Sequence, residues 1–216
     1  MSPLLVPYYE HPSVRPAEWA AIVAAAPRLY GVVLNPAGGP GERPDPAFAE
    51  LAARLRAAGV RVLGYADTDY ARRPRPDVVR DLARHRAWYG VDGAFLDQAA
   101  AEAQQLRHYQ QLASAARSAG CGTLVLNHGT PPHPSYARIA DVLVTFEGPW
   151  AAYTRTPPHP GGRYGTGVRL CHLVCGVPSG ADVEGAARER GATVYCAVPC
   201  TGTHPWGTLP HTVGAR

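Results

Sequence analysis

Val91-Asp92-Gly93-Ala94-Phe95-Leu96-Asp97-Gln98 reads as a short strand, apolar through its centre, that stops on a carboxylate. Val142-Leu143-Val144-Thr145-Phe146-Glu147-Gly148 repeats the pattern, with Glu147 closing its apolar run. Runs of this kind fit the strands of a parallel sheet covered on both faces. In such sheets the side chains at the carboxyl ends of the strands line the ligand crevice. Asp97 and Glu147 are therefore a candidate carboxylate pair in one pocket, the equipment of glycoside hydrolysis. The competing explanation is that each caps a following helix, a position that Asp favours.

Outward from these two segments, apolar strand-like runs alternate with amphipathic helical ones along the chain. The strand candidates are residues 4–9, 31–35, 61–66, 93–97, 123–127, 142–146, 168–174 and 193–198. Helical segments fall at 16–26, 46–58, 76–89, 103–119 and 181–190, with Pro at or near their starts. Gly59, Gly120 and Gly191 follow three of the ends, as expected for helix termination. The crossovers after the fifth and sixth strands are short or irregular, rich in Pro, Gly and His over 130–134 and 157–167. Eight strands with intervening helices predict one compact (β/α)₈ barrel, an α/β fold of the TIM type, over residues 1–216. A doubly wound open sheet is the alternative. Its dinucleotide-binding form needs a glycine fingerprint after the first strand, where this chain has Tyr8-Tyr9-Glu10-His11-Pro12. The Gly38-Gly39-Pro40-Gly41 loop is broken by Pro, lacks Lys and opens no helix directly, so it reads as a structural turn.

A barrel gathers strand ends at one mouth. Here the set is Tyr8, Tyr9, Glu10 and His11; Asn35; Tyr65, Asp67 and Thr68; Asp97 and Gln98; Asn127 and His128; and Glu147. Polar groups at nearly every terminus are hard to explain as packing. Tyr9, His11, Asn35, Tyr65, Thr68, Gln98 and Asn127 are the expected substrate-binding groups. Trp150 and Trp206, past the sixth and eighth strands, offer flat apolar faces for a sugar ring. The apolar run before Glu147 suggests the protonated acid, which leaves Asp97 ionised; the reverse assignment is open. A separation of roughly 5 Å would mean retention and one of about 6.5–9.5 Å inversion.

Composition narrows the chemistry further. All 21 basic residues of the 216-residue chain are Arg, so no Schiff-base lysine, pyridoxal-phosphate lysine or P-loop lysine exists. The net charge of +4 is mild. Arg72, Arg73, Arg75, Arg80, Arg84 and Arg86 are interleaved with Asp77 and Asp81, the pattern of a solvated helix face. No stacking-aromatic module accompanies them, so no nucleic-acid partner is expected. No stretch reaches membrane-spanning length. The N-terminus has no basic leader before its short apolar run, which places the chain in the cytoplasm, or outside the cell if a leader was removed. Cys171/Cys175 and Cys196/Cys200 share a spacing of four, and with Cys121 read as small buried residues, although disulfide or metal pairing is open. His11, His108, His128, His133, His159, His172, His204 and His211 show no tight metal spacing, so neither a metal nor another cofactor is expected.

Four stretches resemble the spherulin-4 (spherulation-specific family 4) proteins. These are Leu5-Val6-Pro7-Tyr8-Tyr9-Glu10-His11-Pro12-Ser13, Val33-Leu34-Asn35-Pro36-Ala37-Gly38-Gly39-Pro40-Gly41, Val62-Leu63-Gly64-Tyr65-Ala66-Asp67-Thr68-Asp69-Tyr70 and Val91-Asp92-Gly93-Ala94-Phe95-Leu96-Asp97. The tail His204-Pro205-Trp206-Gly207-Thr208-Leu209-Pro210 is similar to that family's ending. The resemblance implies a barrel fold and, from characterised relatives, hydrolysis of α-1,4-linked galactosamine or N-acetylgalactosamine polymers. It implies that Asp97 belongs to the acidic motif of the fourth strand and that Glu147 is the carboxylate of the sixth. Relatives typically carry Asp-Glu where this chain has Asp97-Gln98. Gln is nearly isosteric with Glu but moves no proton. Three functions therefore compete: a glycosidase using Asp97 and Glu147, a biosynthetic enzyme doing acid–base chemistry on a small molecule, and an inactive glycan-binding protein.

Overall fold

The computed structural model describes residues 2–157, 162–202 and 204–214. Eight parallel strands run in chain order around a closed barrel: β1 (Leu4–Pro7), β2 (Leu29–Leu34), β3 (Val62–Asp67), β4 (Gly93–Asp97), β5 (Thr123–Asn127), β6 (Val142–Pro149), β7 (Arg169–Cys175) and β8 (Val194–Ala197). The helices are α1 (Pro16–Ala24), α2 (Pro46–Ala57), α3 (Arg75–Tyr89), α4 (Leu106–Ser118), α5 (Trp150–Tyr153), α6 (Val183–Glu189) and α7 (His211–Gly214). The expected (β/α)₈ architecture is the observed one. Between β5 and β6 a 3₁₀ turn at Pro134–Arg138 replaces the helix, and the connection after β6 opens with the single-turn α5. His159 and the 158–161 part of the expected irregular crossover lie outside the described residues.

Each element follows from local chemistry. Asp45 caps α2 by accepting the Ala47 N–H at 2.8 Å, and Pro46 occupies the first helical position, where no N–H is needed. Asp182 caps α6 in the same way through Gly185 N–H. Gly90 ends α3 in the left-handed conformation at φ 60°. Gly64 has a different reason to be glycine. A Cβ there would stand 2.6 Å from Cγ of the fully buried His85, whose Nε2 lies 2.8 Å from the Tyr65 carbonyl.

Apolar side chains pack in three clusters. One fills the lumen with Leu5, Val33, Leu63, Tyr65, Phe95, Val125, Val142, Val144, Cys171, Leu173, Val194, Cys196 and Val198, roofed by Trp206. The other two lie between barrel and helices, which is why the strands read as unbroken apolar runs. The joint between β1 and β8 is thin. Their ladder contains the single pair Leu4↔Tyr195, supported by Tyr195 N–H to the Pro3 carbonyl at 3.3 Å. Above it, Tyr9 N–H donates to the Trp206 carbonyl at 3.0 Å. Among the described residues no helix is long and apolar enough to cross a membrane.

Candidate active site

Asp97 is the last residue of β4 and shares a face with Phe95, so its carboxyl rises from the lumen at the barrel mouth. Tyr65 from β3 donates its hydroxyl to Asp97 Oδ2 at 2.8 Å. Asn127 closes β5, and its Nδ2 carries two protons. One contact runs to Asp97 Oδ1 at 2.6 Å and the other to Glu147 Oε2 at 2.5 Å. Because both oxygens bond one nitrogen, they lie no farther apart than those two distances end to end, roughly 5 Å. Trp206, from the segment after β8, donates its indole N–H to Glu147 Oε1 at 3.0 Å. The Asn127 amide is itself held by Gly129 N–H to its Oδ1 at 3.1 Å.

Glu147 reaches this position through an irregularity. Val142 and Val144 face the lumen, so strict alternation would turn Phe146 inward and Glu147 outward. The β6–β7 register shifts between Val144 and Phe146: Val144 pairs with Cys171, Phe146 with His172 and Glu147 with Leu173. Thr145 is the extra residue of a β-bulge. Phe146 therefore packs outward against Tyr153, with ring centroids 4.7 Å apart, and Glu147 shares the lumen face of Leu173. The strand then continues to Pro149, so Glu147 is an interior position rather than the strand end predicted from sequence.

Burial sets the electrostatics. It raises the Asp97 carboxyl above its ordinary range, while the Tyr65 hydroxyl, the Gln98 backbone N–H and the Asn127 amide pull it back. Glu147 is exposed to solvent at the mouth, yet the protein packed around its carboxyl still displaces water and raises it; the Asp97 charge adds to this, and the Asn127 and Trp206 donors oppose it. Three donors thus favour the ionised form of Asp97 against two for Glu147. The Tyr9 and Tyr65 phenols are pushed up, first by burial and then by the nearby carboxylates, so both stay protonated donors. Tyr9 meets Tyr65 edge to face with centroids 5.9 Å apart.

The other predicted residues are placed as follows. Thr68 is fully buried beneath the site; its hydroxyl donates to the Asp97 and Gln98 carbonyls at 2.9 Å and shares a 2.8 Å bond with Tyr109. It positions the strand end and is shut off from the mouth. Gln98 is half-buried with a left-handed φ of 48°. His11 is not brought to the carboxylates: its Nε2 bonds Asp45 at the start of α2, at 3.0 Å, and its ring stands against Phe48. Asn35 accepts Gly39 N–H at 2.8 Å and shapes the glycine turn. Trp150 packs on the outer layer near Tyr153, and it is Trp206 that enters the site. Tyr8 faces outward onto Trp19, and His128 bonds the Ala99 and Ala100 carbonyls in the outer layer. All five cysteines are free thiols, three of them buried. Among the described residues no group of three or more His, Cys, Asp or Glu is placed to hold a metal ion.

This geometry can be set beside known proteins. Residues 3–198 match the model of the spherulation-specific family 4. The chain belongs to that family. Spherulin-4 of Physarum polycephalum is 34% identical over 149 residues, which is 67% of this chain and 44% of the relative. The chain thus spans less than half the length of that curated family member. The crystal structure of Aspergillus clavatus Sph3 in complex with GalNAc superposes with a TM-score of 0.80 at 25% identity, covering 98% of this chain and 94% of that one. A tryptophan synthase α-subunit from Pyrococcus furiosus, 17% identical with a TM-score of 0.55 over 91% of this chain and 89% of its own, shares the fold alone.

Proposed function

We propose that this spherulation-family barrel is a glycoside hydrolase acting on galactosamine- or N-acetylgalactosamine-type glycans, with Glu147 and Asp97 as its carboxylate pair. The observation that carries this reading is the Asn127 amide, which bonds one oxygen of each acid and so keeps those two oxygens within roughly 5 Å of each other at the barrel mouth. The likeness to a structure solved with GalNAc supports a glycan-related role. Glu147, with two donors against three for Asp97, is the general acid. It protonates the glycosidic oxygen as that bond breaks, while Asp97 attacks the anomeric carbon to form a glycosyl ester. Glu147, now ionised, deprotonates a water that attacks the same carbon. The sugar departs with retained configuration, Asp97 is released and Glu147 is protonated again. In this reading Tyr9, Tyr65 and Trp206 contact the sugar.

The test is direct. Incubation with a partially N-acetylated α-1,4-galactosaminoglycan should yield shorter oligosaccharides, read by mass spectrometry. Asp97→Asn and Glu147→Gln should each lower turnover by roughly 10²–10⁴-fold. Turnover equal to wild type in either variant rejects the assignment.

Gln98 favours a second reading, a protein that binds the glycan without cleaving it. It stands where the family resemblance leads one to expect Glu. Glycan binding with no product in wild type, together with turnover gained in Gln98→Glu, would support that reading.

A further inference from the structure

The bulge in β6 decides whether Glu147 faces the lumen or the helix layer, and its extra residue is not loose. Thr145 is buried and points to the outer face, where its Oγ1 lies 3.1 Å from His172 Nε2 on the neighbouring strand. His172, also buried, holds the Tyr153 hydroxyl at 2.7 Å through Nδ1. Tyr153 stands in the helical turn that directly follows β6 and packs against Phe146. The Arg190 guanidinium lies over its ring at 4.9 Å and also donates to the Thr156 carbonyl at 3.1 Å. Thr145, His172 and Tyr153 thus form a continuous polar chain on the outer face of β6 and β7. A buried polar chain of this kind fixes one arrangement, because each alternative leaves a member without its partner.

We propose that the Thr145–His172–Tyr153 chain is the positioning device for Glu147: it pins the extra residue outside the barrel and thereby holds the carboxyl inside. None of the three reaches the lumen, so they act through Glu147 and not on substrate. The inference rests on the proposed function only for its kinetic reading, since the direction of Glu147 can be read without turnover. Trp206 N–H bonds Glu147 Oε1, so the indole resonance of Trp206 reports the carboxyl directly. The titratable groups that share the lumen and its mouth with Glu147 are Asp97 from β4, Tyr65 and Asp67 from β3, Tyr9 after β1, Cys171 and Cys175 of β7, and Cys196 of β8. Asp97 and Asp67 are the other carboxyls among them.

Thr145→Val keeps the shape and removes the hydroxyl; Thr145→Ser restores it. The measurement is the pH dependence of the Trp206 indole ¹H–¹⁵N signal, assigned with Trp206→Phe, with Glu147→Gln to isolate the Glu147 contribution. In wild type the signal moves as Glu147 ionises. In Thr145→Val that component should vanish or fall back toward the ordinary carboxylate range, and kcat on the galactosaminoglycan should drop roughly 10- to 100-fold with KM little changed. Thr145→Ser should recover both. His172→Phe should reproduce the loss, and the double variant should add nothing to it. A Thr145→Val protein with the wild-type titration overturns the proposal, as does a serine variant that fails to recover it. If wild type cleaves no glycan, the hydrolase reading falls while the indole titration still decides the positioning.

Discussion

Replacing Asn127 with Ala removes the one donor that Asp97 and Glu147 share. Each charged form then loses a hydrogen bond, so both carboxyls should titrate at higher pH than in wild type. In the proposed mechanism the acid limb of kcat/KM reports Asp97 ionising and the alkaline limb reports Glu147 losing its proton. The whole bell should therefore move to higher pH, measured as kcat/KM against pH on the glycan. Stability carries the opposite sign of the usual paired carboxylate. Both acids titrate above their unfolded values, so over that window the folded state holds more protons than the unfolded one. Stability thus falls as pH rises through the window and stays lowered above it. Asp97→Asn, at the half-buried acid, should melt at a higher temperature than wild type near pH 7, with the gain disappearing below about pH 4, where unfolded carboxyls are themselves protonated. Asp97 was legible as a site residue because its strand is unbroken and ends on it. His11 and Asn35 look equivalent on paper, yet their loops curl back and spend those side chains on Asp45 and the glycine turn.

Two elements near the mouth carry unusual backbone. Asp69, Tyr70 and Ala71 are three consecutive non-glycine residues in the left-handed region, at φ 44°, 53° and 70°. The turn is held by Asp69 N–H to Asp67 Oδ1 at 2.8 Å and Tyr70 N–H to the Gln98 carbonyl at 2.8 Å. An L-residue in this region costs about 1–2 kcal/mol, and glycine costs about 0.5–1 kcal/mol in lost chain freedom. Ala71→Gly should therefore stabilise by up to about 1 kcal/mol, seen as a melting temperature about 2–4 °C higher. Gly64→Ala should act in the other direction by about 1–3 kcal/mol, because the new methyl has only the fixed His85 ring to displace; chemical denaturation measures it. Element order was readable from the alternation of apolar runs and Pro-started helices. The bulge was not: Val142 to Glu147 reads as one apolar run, and nothing in the residue types marks Thr145 as surplus. Its register is set by β7 and by the buried hydroxyl chain, which are long-range matters.

For the molecule as a whole, closure of the barrel followed from counting eight strands, whereas the role of Trp206 did not. Its segment lies beyond the last strand, and only the assembled barrel shows which side chain drops into the mouth. Trp150 and Trp206 are equally plausible from sequence; tertiary packing sends the first to the outer layer and the second to Glu147. The same segment bridges the weakest joint of the sheet, where β1 and β8 share one ladder pair and Tyr9 reaches the Trp206 carbonyl. In rising urea, the proposed hydrolysis should therefore decline before far-UV circular dichroism changes, and amides of 4–9, 194–202 and 204–206 should exchange with deuterium ahead of those in β3 and β4. Glu147 is fastened, through one indole ring, to the zip of the cylinder. Wherever that zip begins to part, the working end goes slack first, and the rest of the wall can still be standing when it does.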